Sequence, residues 1–225
     1  MTFTLSNLNI DEVLRYMGIP PGKADPVTRK LAQDCTLELV RAAQPRWTYR
    51  LCSLSPEADG VRVDNRLLLP GQDIKIHLSG CSQAVLFALT LSSSADTLIR
   101  RTEPLDMARA YALDCCATAA AEHLCDQVEQ HLHAMFPGCF FPFRYSPGYG
   151  DLPLDIQADL LDLLDAPRRI GLTCSTSSIL IPRKSVTAIL GVSEQPVPQT
   201  IRSCLTCPVS GSCQYRKSGG HCGIS

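Results

Sequence analysis

The stretch "PLDMARAYALDCCATAAAEHLCDQVEQHLHAMF" constrains the fold more than any other part of the chain. From about Pro104 to about Met135 it has the composition of one long helix, with no glycine or further proline to break it. Thr102 is the expected N-cap, and Pro104 falls in the first turn, where a missing N–H is tolerated. Asp106 lies near the positive end of the macrodipole, and His131 and His133 lie near the negative end. Phe136-Pro137-Gly138 stops the helix. Its middle, "CCATAAA", carries unusually small side chains, which admit close approach of a sheet or a ligand.

The flanking segments decide the fold class. Upstream, Asn9 to Met17 reads as a short helix stopped by Gly18 and Pro20-Pro21, and Asp25-Pro26 opens a longer one that Pro45 ends. "RWTYRLCSL", Arg46 to Leu54, reads as a strand, followed by a turn from Glu57 to Gly60. Short strands or loops follow around Pro70-Gly71; Asp73 to Leu78 alternates like a half-buried strand. Ala84 to Leu91 is a continuous apolar run that suits a strand buried on both faces. Downstream, Pro153 to Leu164 is an amphipathic helix, Ile170 to Leu172 begins a strand, and "SSILIPRKSVTAILGVSE" reads as two strands around Pro182-Arg183-Lys184. The pattern does not alternate βαβα, and no GxGxxG opens a helix after a strand. This predicts an α+β fold: a mainly antiparallel twisted sheet flanked by helices, one of them long and central, with a small Cys-rich C-terminal tail.

Composition excludes several functions. The chain has 225 residues, 45% of them apolar, which is enough for one domain with a real core. Net charge is −1 and no basic stripe is visible, which argues against a nucleic-acid partner. The longest apolar run, "AVLFALTL", falls far short of the ~20 residues a membrane-spanning helix needs. The N-terminus lacks a basic and then apolar leader, so the expected location is the cytoplasm.

That setting bears on the twelve cysteines, since a reducing compartment argues against disulfides. Cys35, Cys52, Cys81, Cys115, Cys116, Cys125, Cys139 and Cys174 sit among apolar neighbours and read mostly as small core residues. Cys204, Cys207, Cys213 and Cys222 instead crowd the tail as C-x2-C-x5-C-x8-C. Four thiolates at that spacing suit a [4Fe-4S] cluster or a zinc ion, with the single tight pair favouring the cluster. A cluster there would relay electrons; the alternative is a reduced tail without a metal.

The second conspicuous segment is "FRYSPGYGDLPLD", Phe143 to Asp155. Arg144 is a permanent cation whose planar fork grips a carboxylate in two places. Pro147 and Gly148 shape the backbone, and Tyr145 and Tyr149 offer flat faces with hydroxyl tips. Such a loop suits a small molecule with a carboxylate and an aromatic ring. It equally suits a rigid connector whose arginine pairs with a surface acid.

"RYSPGYG" resembles the R-x-A-P-G-Y loop of the S-adenosylmethionine-binding activation domain of cobalamin-dependent methionine synthase. "AAAEHLCDQV", Ala119 to Val128, is similar to the helix of that domain that carries a ligand-contacting glutamate, here Glu122. "IGLTCSTSSILIPRKSVTAILGV" is similar to its strands around a P-x-x-S-V turn, here Pro182 to Val186. The three occur in the family's order and cover roughly residues 105 to 193. One departure is Ser175-Thr176-Ser177, where the family usually carries Thr-Glu-Ser.

The resemblance implies a stand-alone activation domain over residues 1–195, its first 45 or so helical; the cysteines add the expectation of a metal-binding tail over 196–225. It implies that the chain binds S-adenosylmethionine and supports reductive methylation of cob(II)alamin. The cobalamin would sit in trans, on a cobalamin-dependent methionine synthase or another corrinoid protein, with the electron supplied by a donor protein. Arg144 would hold the methionine carboxylate. The backbone of Tyr145, Ser146, Pro147 and Gly148 would meet the adenosine, Tyr149 would line the site, and Glu122 would accept hydrogen bonds from the ligand. The competing readings are a non-catalytic S-adenosylmethionine sensor and a metal-binding interaction protein, either one docking on a corrinoid protein. Read without the family, Glu122 fits a solvated helix residue as well as a functional one.

Overall fold

A computed structural model describes residues 5–6, 8–20, 22–197, 211–212 and 217. The chain begins with α1, Ile10–Tyr16, whose first turn is closed by the Asn9 side chain accepting from the Asp11 N–H. Asp25 caps α2, Pro26–Ala42, accepting from the Val27 and Thr28 N–H groups. The strands β1, Arg46–Glu57, β2, Gly60–Val63, and β3, Leu67–Pro70, then form an antiparallel meander. After α3, Gln72–His77, comes the interior strand β4, Gln83–Thr90. Two helices follow, α4, Ser93–Thr102, and α5, Met107–Met135. Beyond the loop lie a single 3-10 turn, Leu154–Ile156, α6, Gln157–Leu163, and α7, Ala166–Ile170. The last strands are β5, Thr173–Cys174, β6, Leu180–Ile181, and β7, Ser185–Val192.

The main sheet has the order β3-β2-β1-β4-β7, antiparallel throughout, and β5 pairs with β6 separately. Strand β4 lies inside the sheet between β1 and β7, with Ala84 to Thr90 all buried. The period of two divides its side chains between two cores. Val85, Phe87 and Leu89 pack with α1, α2, α4 and α5 on one face. Ala84, Leu86 and Ala88 pack with α3, α6 and α7 on the other. This is the expected α+β arrangement, an antiparallel sheet flanked by helices with one long helix across it.

The small side chains of α5 are explained by packing. Cys116, Ala117 and Ala120 are fully buried. The Thr36 hydroxyl of α2 lies 3.4 Å from the Cys116 thiol, and Cys35 reaches the Arg109 carbonyl at 3.8 Å. Only small residues let two helices approach that closely. All eight scattered cysteines are free thiols, five of them buried, in keeping with their reading as small core residues.

Four boundaries differ from the sequence expectation. Thr102 is not the cap of the long helix but the last residue of α4, its hydroxyl donating to the Leu98 carbonyl. Pro104 follows that helix, and Asp106 caps α5 by accepting from the Arg109 N–H at 3.0 Å. Asp73 to Leu78 lies in and just beyond a helix, not a strand. Ile74 and Leu78 are buried four residues apart while Ile76 is exposed. Ile170 ends α7, and the strand begins only at Thr173. The strands on either side of Pro182 are not partners: β6 pairs with β5, and β7 pairs with β4.

Candidate functional site

The chain leaves α5 through Phe136 to Gly138 and runs back along the outer edge of β7. Phe140 bridges Ser193, and Tyr145 bridges Ile189 with N–H···O distances of 2.9 and 2.7 Å. Extended backbone sends successive side chains to opposite faces. Arg144 therefore points to α5, and Tyr145 points into the core beneath the other face of the sheet.

Arg144 is buried, its side chain only 9% exposed, and meets three carboxylates of α5. Its Nη2 donates to Glu122 at 2.6 Å. Its Nη1 donates to Asp126 at 2.7 Å and also to Glu129. Residues 122, 126 and 129 share one helix face, so one buried cation faces three anions and the group is left with a formal charge of −2. Burial works against the guanidinium charge, but the carboxylates, Glu129 foremost, outweigh it and hold its pKa above the ordinary arginine value. The C-terminal end of α1 approaches the same acids. Burial, and then the negative charge of Glu122, push the Tyr16 hydroxyl up in pKa.

The rest of the loop is latched to α3. Gly148 takes φ +90°, its N–H donates to the Leu152 carbonyl at 2.9 Å, and Tyr149 N–H donates to the Ser146 carbonyl at 3.1 Å. Asp151 accepts from the Gln72 and Asp73 N–H groups at 2.6 and 3.1 Å, capping α3 from a distant part of the chain. Gly150 takes φ +51°, and a Cβ there would displace the Asp73 carboxylate and the Tyr145 hydroxyl. His77 of α3 contacts the Phe143 carbonyl through Nε2 at 2.8 Å and lies against the Phe143 and Tyr145 rings. Tyr149, 46% exposed, meets Tyr145 edge-on with centroids 5.7 Å apart. Ser146 is half-buried, Pro147 buried and Gly148 exposed.

The predicted residues therefore fall into two groups. Glu122 and Arg144 are in direct contact, and Tyr145 to Tyr149 form the adjoining aromatic turn. The turn at Pro182 reaches the same helix face: Lys184 pairs with Asp114 at 2.9 Å and donates to Thr118 at 3.0 Å, one turn before Glu122. Ser175-Thr176-Ser177 occupies the β5–β6 turn, where the Ser175 hydroxyl accepts from the Ser177 and Ile179 N–H groups. Asp126 and Glu129 escaped the sequence reading. Their spacing from Glu122 was visible, but the arginine that unites them is remote in sequence.

Cys204, Cys207, Cys213 and Cys222 lie outside the described residues, as does most of the proposed tail. Among the described residues, no group of three or more His, Cys, Asp or Glu is arranged to hold a metal, and no helix is long and apolar enough to cross a membrane.

No family model matches the chain, and no curated protein matches its sequence. A solved structure matches its shape. The crystal structure of the MetH reactivation domain bound to AdoHcy aligns with a TM-score of 0.58 at 15% identity, covering 84% of this chain and 78% of that one. The chain has the fold of that reactivation domain. At that identity the match shows the architecture alone.

Proposed function

We propose that the chain binds S-adenosylmethionine at Arg144 and Glu122 and supports reductive methylation of cob(II)alamin on a separate corrinoid protein. The partner is a cobalamin-dependent methionine synthase or a related corrinoid methyltransferase, with an electron donor protein completing the system in the cytoplasm. The observation that carries the reading is the direct Arg144–Glu122 contact within the fold of a domain solved with AdoHcy.

The residues fit such a ligand. S-adenosylmethionine has a sulfonium, an ammonium, a carboxylate and an adenine ring. A group of formal charge −2 favours the first two, and Glu122, its side chain 40% exposed, accepts from the ammonium. Arg144 offers the fork for the carboxylate. The exposed Tyr149 ring supplies a face for the adenine, backed by Tyr145, while the fixed turn through Ser146, Pro147 and Gly148 presents backbone groups. When bound, S-adenosylmethionine supplies the methyl group. The chain's part is binding and orientation, since the cofactors carry the difficult chemistry.

The reaction is balanced by one electron. Cob(II)alamin, the electron and the sulfonium methyl give methylcob(III)alamin and S-adenosylhomocysteine. The test is reconstitution of this protein with a corrinoid methyltransferase, an electron donor and methyl-labelled S-adenosylmethionine. Label on the corrinoid that depends on this protein supports the proposal. Binding without label transfer assigns the chain as a sensor, and absence of binding removes the reading.

A further inference from the structure

We propose that Asp126 occupies the place of the ligand carboxylate on Arg144 and must give it up for the ligand to bind. It thereby sets affinity for carboxylate-bearing ligands. This rests on the reading of Arg144 and Glu122 as the ligand site. A carboxylate gripped by an arginine fork needs two N–H groups side by side. Here Nη1 is already shared by Asp126 and Glu129, and Nη2 is held by Glu122. Of the five guanidinium N–H groups both on Nη1 are engaged, so a ligand carboxylate that bridges the two terminal nitrogens can take its place only if one of the two acids on Nη1 leaves.

Exposure identifies which one leaves. The Glu129 side chain is 19% exposed and Glu122 40%, whereas Asp126 is 60% exposed and solvated on its outer side. Returning Asp126 to water sacrifices least, because an ion pair so exposed is worth little. Glu129 stays as the buried anchor of the guanidinium, and Glu122 remains for the ammonium. Asp126 is thus a specificity-determining residue: it occupies an Nη1 N–H in the empty protein and weakens every ligand that must displace it.

The test compares the full chain with Asp126→Asn by calorimetric titration, using S-adenosylmethionine and decarboxylated S-adenosylmethionine. The substitution is expected to tighten S-adenosylmethionine about twofold to fivefold, the worth of an exposed pair. It should weaken the decarboxylated ligand, which gains nothing from a freed fork and loses an attracting anion. Equal or weaker binding of S-adenosylmethionine by Asp126→Asn, with normal binding by the unsubstituted protein, overturns this proposal alone. Equal tightening of both ligands also overturns it. Failure of the unsubstituted protein to bind either ligand removes the underlying reading instead.

Discussion

Arg144 is outnumbered by its neighbours, and that imbalance makes its structural role separable from the binding role proposed for it. Replacing it by alanine leaves three carboxylates of α5 without their buried cation, so Arg144→Ala should cost about 2 kcal/mol of stability in urea unfolding. Arg144→Lys keeps the charge but not the planar fork. It should retain most of that stability and still lose ligand affinity. If the lysine variant binds S-adenosylmethionine as tightly as the unsubstituted protein, recognition does not depend on the fork. Both bare alternatives for this arginine, a connector paired to an acid or a ligand clamp, were legible in the sequence. The structure displays the pairing directly; the proposed displacement of Asp126 would let the clamp role coexist with it.

Among the elements, α3 shows most clearly why a sequence pattern is incomplete. "DIKIHL" alternates like a strand, yet the segment is helical because Asp151, far along the chain, caps its first N–H groups. That tertiary partner cannot be read from the local residues. Helix α5 was legible because no breaker interrupts Met107 to Met135, but its start was misplaced. Thr102 and Asp106 are both acceptable caps, and only the turn through Pro104 between α4 and α5 separates them. Strand β4 was legible for the opposite reason: a run that is apolar at every position has nowhere to go but between two layers. The α3 cap also gives a prediction. Asp151→Ala should destabilise the protein by about 1 kcal/mol, the usual worth of a cap, and loosen the loop that holds Arg144. Hydrogen exchange would show faster exchange at Gln72 and Asp73; unchanged protection there would contradict the capping role.

At the scale of the whole molecule, the two cores hide groups that ionise readily in the unfolded chain. Burial pushes the Cys35 thiol up to about 11 and the Cys52 and Cys116 thiols up to about 12, from an ordinary 9.0. Burial likewise raises Tyr145 to about 12 from 10.0. Below pH 9 these thiols are protonated folded or unfolded, so their contribution is intact. Above it the unfolded chain loses protons first, and stability falls as the pH climbs toward the folded values. The urea midpoint should therefore drop between about pH 9 and about pH 12, and a flat profile would contradict the depth of burial assigned to these groups.

The same whole-molecule view explains why the fold is shared with a reactivation domain at 15% identity. The antiparallel sheet, the long helix and the loop along β7 are fixed by patterning and packing, which many sequences satisfy. The proposed ligand site rests on a few residues that must meet in space. Calorimetric titration of the unsubstituted protein and Arg144→Ala with S-adenosylmethionine probes that meeting directly, with folding of both checked by circular dichroism. One saturable site in the former and at least about tenfold weaker binding in the latter is the predicted result. Saturable binding that is equally tight in the folded Arg144→Ala protein would place the ligand elsewhere, and no binding by either would remove S-adenosylmethionine from the function.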